Sequence, residues 1–182
     1  IHQKALGLKS QFESRLSAGQ VSIVPHATYS LSEELFKLVL SDGQGDVKSI
    51  HHQENEDENH FFNNGSGPIA LRRKAFNPHL PPYAGTGKRP MESIAGFFNP
   101  DHKLLLVHNT VSQPEDIAFV QHYFKQAYWC FCPNANLYIE NRLPQPDYFR
   151  QQQCVITLGT DSLASNYSLS MLSEMKTISK HF

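Results

Sequence analysis

The sequence has almost no net charge, few cysteines and no long hydrophobic run. Its 182 residues have a formal net charge of −1 at neutral pH, and no cluster of Lys and Arg is interleaved with aromatic residues. This composition argues against a nucleic-acid partner and against an anionic membrane surface. No stretch reaches the ~20 apolar residues of a membrane span, and the start of the chain lacks a signal-peptide pattern. We therefore expect a cytoplasmic protein whose partner is a small molecule.

The three cysteines argue against a disulfide framework. Cys130, Cys132 and Cys154 all lie in strand-like sequence, and their odd number is typical of reduced, buried thiols. The spacing of Cys130 and Cys132 also lacks the two-residue gap of a zinc knuckle. No Gly-x-Gly-x-x-Gly follows any candidate strand, which argues against a Rossmann-like nucleotide-binding module.

Short apolar runs recur along the chain, and each is followed by turn residues and a helical pattern. The five runs predicted as β-strands begin at Val21, Val47, Leu104, Ala127 and Cys154. Strands that alternate with helices favour a parallel sheet, either doubly wound or a (β/α)₈ barrel. A complete barrel usually needs about 250 residues, so a barrel with five strands here would have roughly three more upstream.

Helical periodicity and capping residues indicate the intervening helices, and one long segment lacks both. The helix signals are Leu8, Phe12 and Leu16 at four-residue spacing, the capping boxes Ser30–Glu33 and Ser112–Glu115, and the stripe Leu169, Leu172 and Met175. Gly65–Pro90 is rich in Pro and Gly, and we predict that it is an irregular lid or substrate loop.

Residues capable of metal or proton chemistry follow successive predicted strands. They are His26, His51, Glu54, His108 and Asp161. In a parallel barrel the carboxyl ends of the strands share one face, where active sites are built. A single His at a strand end is usually solvated, and Asp161 is also placed to cap a helix. The repetition across strands nevertheless favours a hydrolytic site, because zinc hydrolases use these residue types.

Five motifs resemble those of the amidohydrolase superfamily, in its branch of cyclic-amidine deaminases and chlorohydrolases. They are HATYS (His26–Ser30), HHQE (His51–Glu54), HNTV (His108–Val111), CPNANLYIENRLP (Cys132–Pro144) and GTDSLASN (Gly159–Asn166), in the family's order and spacing. That branch contains S-adenosylhomocysteine/methylthioadenosine, guanine and cytosine deaminases. The resemblance implies an α/β fold, the C-terminal portion of a (β/α)₈ TIM barrel with about five βα units. The first strands and any flanking β domain would lie outside residues 1–182.

The resemblance also implies a reaction: a metal-dependent hydrolase that deaminates a purine- or pyrimidine-like heterocycle. A chlorohydrolase, which removes halide from a halogenated heterocycle, would use the same residues. The implied roles are metal ligation by His51 and Asp161, proton transfer by Glu54 and Asp161, hydrogen bonding of the attacking water by His108, and substrate binding by His26 and Asn136. The ion would be a single divalent metal, zinc or iron, that lowers the pKa of water to roughly 7.

Two features qualify this interpretation. His51 and His52 are adjacent, and successive strand side chains face opposite sides, so only one of them can face the metal. The family spacing favours His51, and we predict that His52 packs or meets solvent. The family's His-x-His of strand one is absent from the sequence, so we expect an incomplete metal site and an inactive isolated chain. The alternative is a non-catalytic barrel fragment or binding module.

Other charged residues receive no role from the sequence. Of the acidic run Glu54–Glu58, all but Glu54 are predicted to be a solvated helix start. Arg72, Arg73 and Lys74 are predicted to be solvated too, with contact to an anionic substrate group as the alternative. Unpaired edges of an open sheet would favour self-association of the chain.

Overall fold

A four-stranded parallel sheet forms the centre of the structure, a computed structural model that describes residues 2–16, 21–41 and 47–182. The strands are β1 Val47–His52, β2 Lys103–His108, β3 Gln126–Phe131 and β4 Val155–Leu158, paired in the order β1-β2-β3-β4. Each strand therefore pairs with the next along the chain, and the intervening chain, most of it helical, forms the crossovers.

Nine α-helices surround this sheet in the described residues. They are α1 His2–Glu13, α2 Glu33–Leu40, α3 Glu56–Asn64, α4 Gly67–Phe76, α5 Pro90–Ile94, α6 Pro114–Tyr123, α7 Pro133–Glu140, α8 Pro146–Gln151 and α9 Met171–His181, with a 3₁₀ turn at Ala95–Phe97. None of the helices in this part of the chain is long and apolar enough to cross a membrane.

The two faces of the sheet bury different side chains. On one face Leu106 pairs in register with Trp129, and both are fully buried against Ile117 and Phe149, which come from α6 and α8. The next residue in register, Val107, points to the other face. There Leu105 and Val107 pack with Cys130, Cys132 and Ala135 in a smaller cluster. The main hydrophobic core covers the first face. The smaller cluster covers the second face, near the carboxyl ends of the strands, where the candidate site lies.

The structure differs from the five predicted strands at its first one. In residues 21–25 no strand forms; the segment reaches β1 through an isolated parallel bridge between Ala27 and His51. The His51 N–H donates to the His26 carbonyl at 2.9 Å. Pro25 has no N–H and cannot extend this ladder, which explains why the pairing stays short.

The prediction that Gly65–Pro90 is irregular was wrong for its first half, which contains α4, and holds for residues 77–89. Gly65 ends α3 in a left-handed conformation with φ of +71°, and a Cβ there would lie 1.7 Å from the Tyr83 carbonyl oxygen. The chain after α4 returns across α3, where the Tyr83 ring stacks on Phe61 with centroids 4.4 Å apart. The segment therefore packs against α3.

Helix starts also shift by one or two residues from the predicted capping boxes. The N-cap of α2 is Ser32, whose Oγ accepts the Leu35 N–H, whereas the Ser30 Oγ accepts the Ala27 N–H. At α6 the cap is Gln113, held by the Asp116 carboxylate. The two predicted apolar stripes, which lie in and beside α1 and α9, remain exposed: Leu8, Phe12, Leu16, Leu169, Leu172 and Met175 are each about half accessible to solvent.

Candidate active site

The carboxyl ends of the strands turn sharply, and this brings their polar side chains together. Four residues there have positive φ, namely Gln53 at 45°, His108 at 77°, Asn109 at 58° and Asp161 at 54°. Such backbone conformations cost about 1–3 kcal/mol each in a non-glycine residue and persist where surrounding contacts enforce them. Here the Asn109 N–H donates to the His52 carbonyl and the Val111 N–H to that of Gln53. The ends of β1 and β2 are thereby fixed to each other.

His51, Glu54 and His108 form a compact cluster beyond the ends of β1 and β2. One potential ligand atom from each of the three lies within 4.8 Å of the other two. Glu54 Oε1 is 3.8 Å from His108 Nε2, and the rings of His51 and His108 have centroids 4.9 Å apart. The ring of His26 lies on the other side of His51, at 4.5 Å. The structure thus brings four of the predicted site residues together.

Asn136 orients the ring of His108. Its Oδ1 lies 2.9 Å from His108 Nδ1, and its Nδ2 lies 3.5 Å from the His108 carbonyl oxygen, so Nδ1 is the donor to the amide oxygen. Both residues are almost fully buried. His108 Nε2 is buried too, and it has no hydrogen-bond partner within the described residues. Since an unpaired buried nitrogen is costly, this atom is suited to a ligand, either a cation or a water molecule.

Electrostatics keep His51 neutral and Asp161 charged. Burial, followed by the nearby His108 and His26, lowers the pKa of His51 to about 4, against a smaller opposing effect of Asp161. Burial raises the pKa of Asp161, but hydrogen bonds from Ser165 Oγ and the Ser162 backbone, with His108 and His51, bring it below its usual value. A neutral imidazole and an ionised carboxylate are the forms that bind a divalent metal.

Asp161 lies near the cluster of His51, Glu54 and His108 but is not one of its three members. Its carboxylate accepts a hydrogen bond from Ser165 Oγ within the loop after β4. The three-residue cluster and Asp161 together contain the donor set of a zinc hydrolase, nitrogen from histidine and oxygen from carboxylates.

His52 lies on the opposite face of β1. Its side chain is fully buried, its Nδ1 pairs with Asn109 Oδ1 at 3.1 Å, and its ring meets the edge of Trp129. Burial lowers its pKa, so it is a neutral core residue. The amide of Asn109 also donates to the Leu106 carbonyl, which makes it the polar link between the core and the strand ends.

Two buried carboxylates were missed in the sequence. Glu58 was predicted to be solvated, yet it is 1% exposed and accepts the Thr28 hydroxyl at 2.7 Å, because α3 turns it inward. Glu174 of α9 is fully buried and accepts hydrogen bonds from Asn134 and Asn166, which belong to two of the recognised motifs. Partners 30 and 40 residues away in sequence bury these groups, so no local pattern identifies them.

A cavity of about 470 Å³ shares its wall with the segments that contain His26 and Glu54. Its lining includes Tyr29, Asn55, Asp57, Ile69, Arg72 and Arg73. Burial and the carboxylates of Glu58 and Glu54 raise the pKa of Tyr29 to about 12, while Arg72 lowers it. The Arg73 guanidinium already donates a hydrogen bond to the Pro81 carbonyl. Arg72 and Arg73, two residues of the basic segment noted in the sequence, therefore border a cavity next to the candidate site.

Known proteins with similar sequences include deaminases. The chain is 32% identical over 184 residues to 5-methylthioadenosine/S-adenosylhomocysteine deaminase of Saccharophagus degradans, a match that covers 98% of this chain and 35% of the relative. The chain thus spans about a third of that relative's length.

Solved structures show the same fold. Aminofutalosine deaminase of Helicobacter pylori, in complex with methylthio-coformycin, superposes with a TM-score of 0.82 at 23% identity over 96% of this chain and 43% of that one. A mutant atrazine chlorohydrolase from Arthrobacter aurescens, complexed with zinc and atraton, gives 0.70 at 14% identity over 96% and 34%. The prediction of a partial (β/α)₈ barrel is thereby confirmed. The sequence profile of the Amidohydrolase family matches residues 17–182, and the chain belongs to this family.

Proposed function

We propose that this chain forms the C-terminal portion of the barrel of a metal-dependent hydrolase that removes the amino group from a purine-like heterocycle and releases ammonia. The observation that carries the proposal is the cluster of His51, Glu54 and His108, in which a buried His108 nitrogen has no partner within the described residues. A relative named as a 5-methylthioadenosine/S-adenosylhomocysteine deaminase supports a 6-aminopurine as the ring attacked.

Glu54 is the proton carrier of this proposal. Its carboxylate is 21% exposed and lies 3.8 Å from His108 Nε2, so it can reach both a water molecule in the cluster and a ring placed above it. The reaction replaces a C–N bond with a C–O bond, and the departing nitrogen must gain a proton before it leaves. Glu54 takes a proton from the attacking water and delivers it to that nitrogen, as a general base and then a general acid.

His108 and His26 position the reactants. With Nδ1 held by Asn136, His108 presents Nε2 toward the cluster, where it forms a hydrogen bond with the attacking water. His26 is more exposed than His51 and lies on its outer side, where it can contact the ring of the substrate. Asn136 acts indirectly, because its hydrogen bond orients the ring of His108.

The residues fit a divalent metal. His51 and Asp161 would hold it, with the unpartnered Nε2 of His108 facing the same space. When bound, the ion would supply acidity, because it lowers the pKa of a water molecule to roughly 7.

The test is ammonia release by the zinc-loaded full-length protein. The panel consists of adenosine derivatives, guanine, cytosine and chlorotriazines, with chloride measured in parallel for the last. Glu54→Gln is expected to retain zinc and to lose activity by at least about 100-fold, the usual contribution of a general acid or base. Glu56→Gln is the matched control, since Glu56 lies two residues away and its side chain is 52% exposed.

Each outcome assigns a function. Ammonia release that depends on Glu54 supports the deaminase, and chloride release with the same dependence supports the chlorohydrolase. A zinc-loaded protein that is inactive on the whole panel contradicts the proposed substrates. A protein that binds no zinc contradicts the metal-dependent hydrolase and favours the non-catalytic module.

A further inference from the structure

Glu58 is a buried carboxyl group that the proposed reaction does not use. It lies on α3, one helical turn after Glu54, and only 1% of it is exposed. Removing such a group from water is expensive unless hydrogen bonds replace the lost hydration. Burial raises its pKa to about 7, even though its hydrogen bonds favour the ionised form. The hydrogen bonds of this carboxyl group must therefore offset the cost of its burial.

The polar contacts of Glu58 go to the two segments that hold Glu54 and His26. The backbone N–H groups of Gln53 and Glu54 face its carboxyl group closely enough to lower its pKa, at the turn where Gln53 has a φ of +45°. Thr28 donates its hydroxyl at 2.7 Å, and Thr28 follows His26 by two residues. Thr28 is itself 1% exposed, so water does not compete for the contact.

These contacts supplement a weak backbone connection. Residues 21–25 form no strand, and the segment that contains His26 contacts β1 through an isolated backbone bridge and a long hydrogen bond, 3.4 Å, from the Ser22 hydroxyl to the Val47 carbonyl. The turn after β1 has strained backbone at Gln53. One carboxyl group therefore contacts both a short segment and a strained turn, each of which presents a residue of the candidate site.

We propose that Glu58 is a positioning residue that fixes Glu54 and His26 relative to each other by accepting hydrogen bonds from both of their segments. This inference rests on the proposed function for its catalytic consequence. It also has a structural consequence, the protection of the Gln53 and Glu54 amides, that can be measured without activity.

The experiment uses the full-length protein with Glu58→Gln, Thr28→Val and Thr28→Ser. Glutamine keeps the shape but has one acceptor oxygen, so at least one of the three donors loses its partner. We expect kcat to fall about 10- to 100-fold in Glu58→Gln, the usual cost of removing a group that orients a reacting residue, with KM changed less. Thr28→Val should lower kcat by a smaller factor, and Thr28→Ser, which keeps the hydroxyl, should restore it.

The second readout is hydrogen exchange of the Gln53 and Glu54 amides, followed by mass spectrometry or NMR. Loss of the hydrogen bonds to Glu58 is expected to speed exchange at these amides on the order of tenfold, without a change in the core strands β2 and β3. Glu56→Gln, on the same helix, should leave both kcat and exchange unchanged.

The two readouts separate this inference from the proposed function. Wild-type kcat and wild-type exchange in Glu58→Gln would overturn the inference, as would a kcat of Thr28→Ser equal to that of Thr28→Val. If Glu58→Gln does not fold, the Thr28 pair decides. A wild-type protein inactive on every substrate would overturn the proposed function, and the exchange result would still support or refute the hydrogen-bonded role of Glu58.

Discussion

Two adjacent histidines of β1 are expected to respond to truncation in opposite ways. His52→Ala should destabilise the fold and leave zinc binding intact, whereas His51→Ala should leave the fold almost unchanged and abolish tight zinc binding. The reason is their environment: His52 is fully buried against Trp129 and Asn109, and His51 lies in the cluster with His108.

The magnitude for His52 follows from three contributions. Truncation leaves Asn109 Oδ1 without its donor, which costs about 1–3 kcal/mol. It also opens a cavity beside Trp129, and large-to-small core substitutions cost about 2–5 kcal/mol. Against this, Nε2 of His52 has no partner within the described residues, so its removal returns part of a desolvation penalty. A net loss of about 3 kcal/mol in the free energy of unfolding results.

His51→Ala should lower the free energy of unfolding by less than about 1 kcal/mol. It is only partly buried, and its ring lies among other imidazoles rather than in an apolar core. Substitutions outside the tightly packed interior usually change stability by about 0.5 kcal/mol or less.

The assay is urea unfolding of the metal-free full-length protein, together with zinc affinity measured by competition with a chelator. His122→Ala, an exposed histidine of α6, is the control and should match the wild type in both. The reasoning is refuted if His51→Ala lowers the unfolding midpoint as much as His52→Ala does, or if His52→Ala loses zinc while His51→Ala retains it.

Four further outcomes are expected. Asn136→Leu should lower kcat about 10- to 100-fold by releasing His108, and steady-state kinetics equal to those of the wild type would contradict that role. Glu58 has a folded-state pKa of about 7, above its usual 4.5, so the folded state binds more protons between these values. Stability should therefore fall as pH rises from about 4.5 to 7, by roughly 3 kcal/mol at most, and urea titrations of Glu58→Gln should show a flatter profile. Arg72→Gln should raise KM about tenfold for a heterocycle with an anionic substituent and less than twofold for a neutral analogue, because Arg72 borders the cavity beside the site. The isolated 182-residue chain should sediment as a dimer or larger species, since β1 and β4 are the edges of its sheet; a monomer would contradict this.

The sheet was predictable because most residues of its strands are buried or partly buried, so the strands appear as short apolar runs. Four of the five predicted runs are strands, and they pair in parallel as predicted. The alternation of side chains along β1 also predicted that His51 and His52 face opposite sides, which the structure shows. The run at Val21 failed because strand formation depends on an adjacent partner as well as on apolar residues, and Pro25 limits the pairing available.

Long-range contacts account for what the sequence did not predict. Glu58 lies in an acidic run that resembles a solvated helix start, and only the packing of Thr28, 30 residues earlier, reveals its burial. Likewise Asn136 was assigned to the substrate, while its contact in the structure is His108, 28 residues away. Local sequence indicates which residues have the chemistry, because strand ends are recognisable. The hydrogen bonds that fix the direction of those side chains come from elsewhere in the fold, so the orientation of Glu54 and His108 depends on residues that no motif search would select.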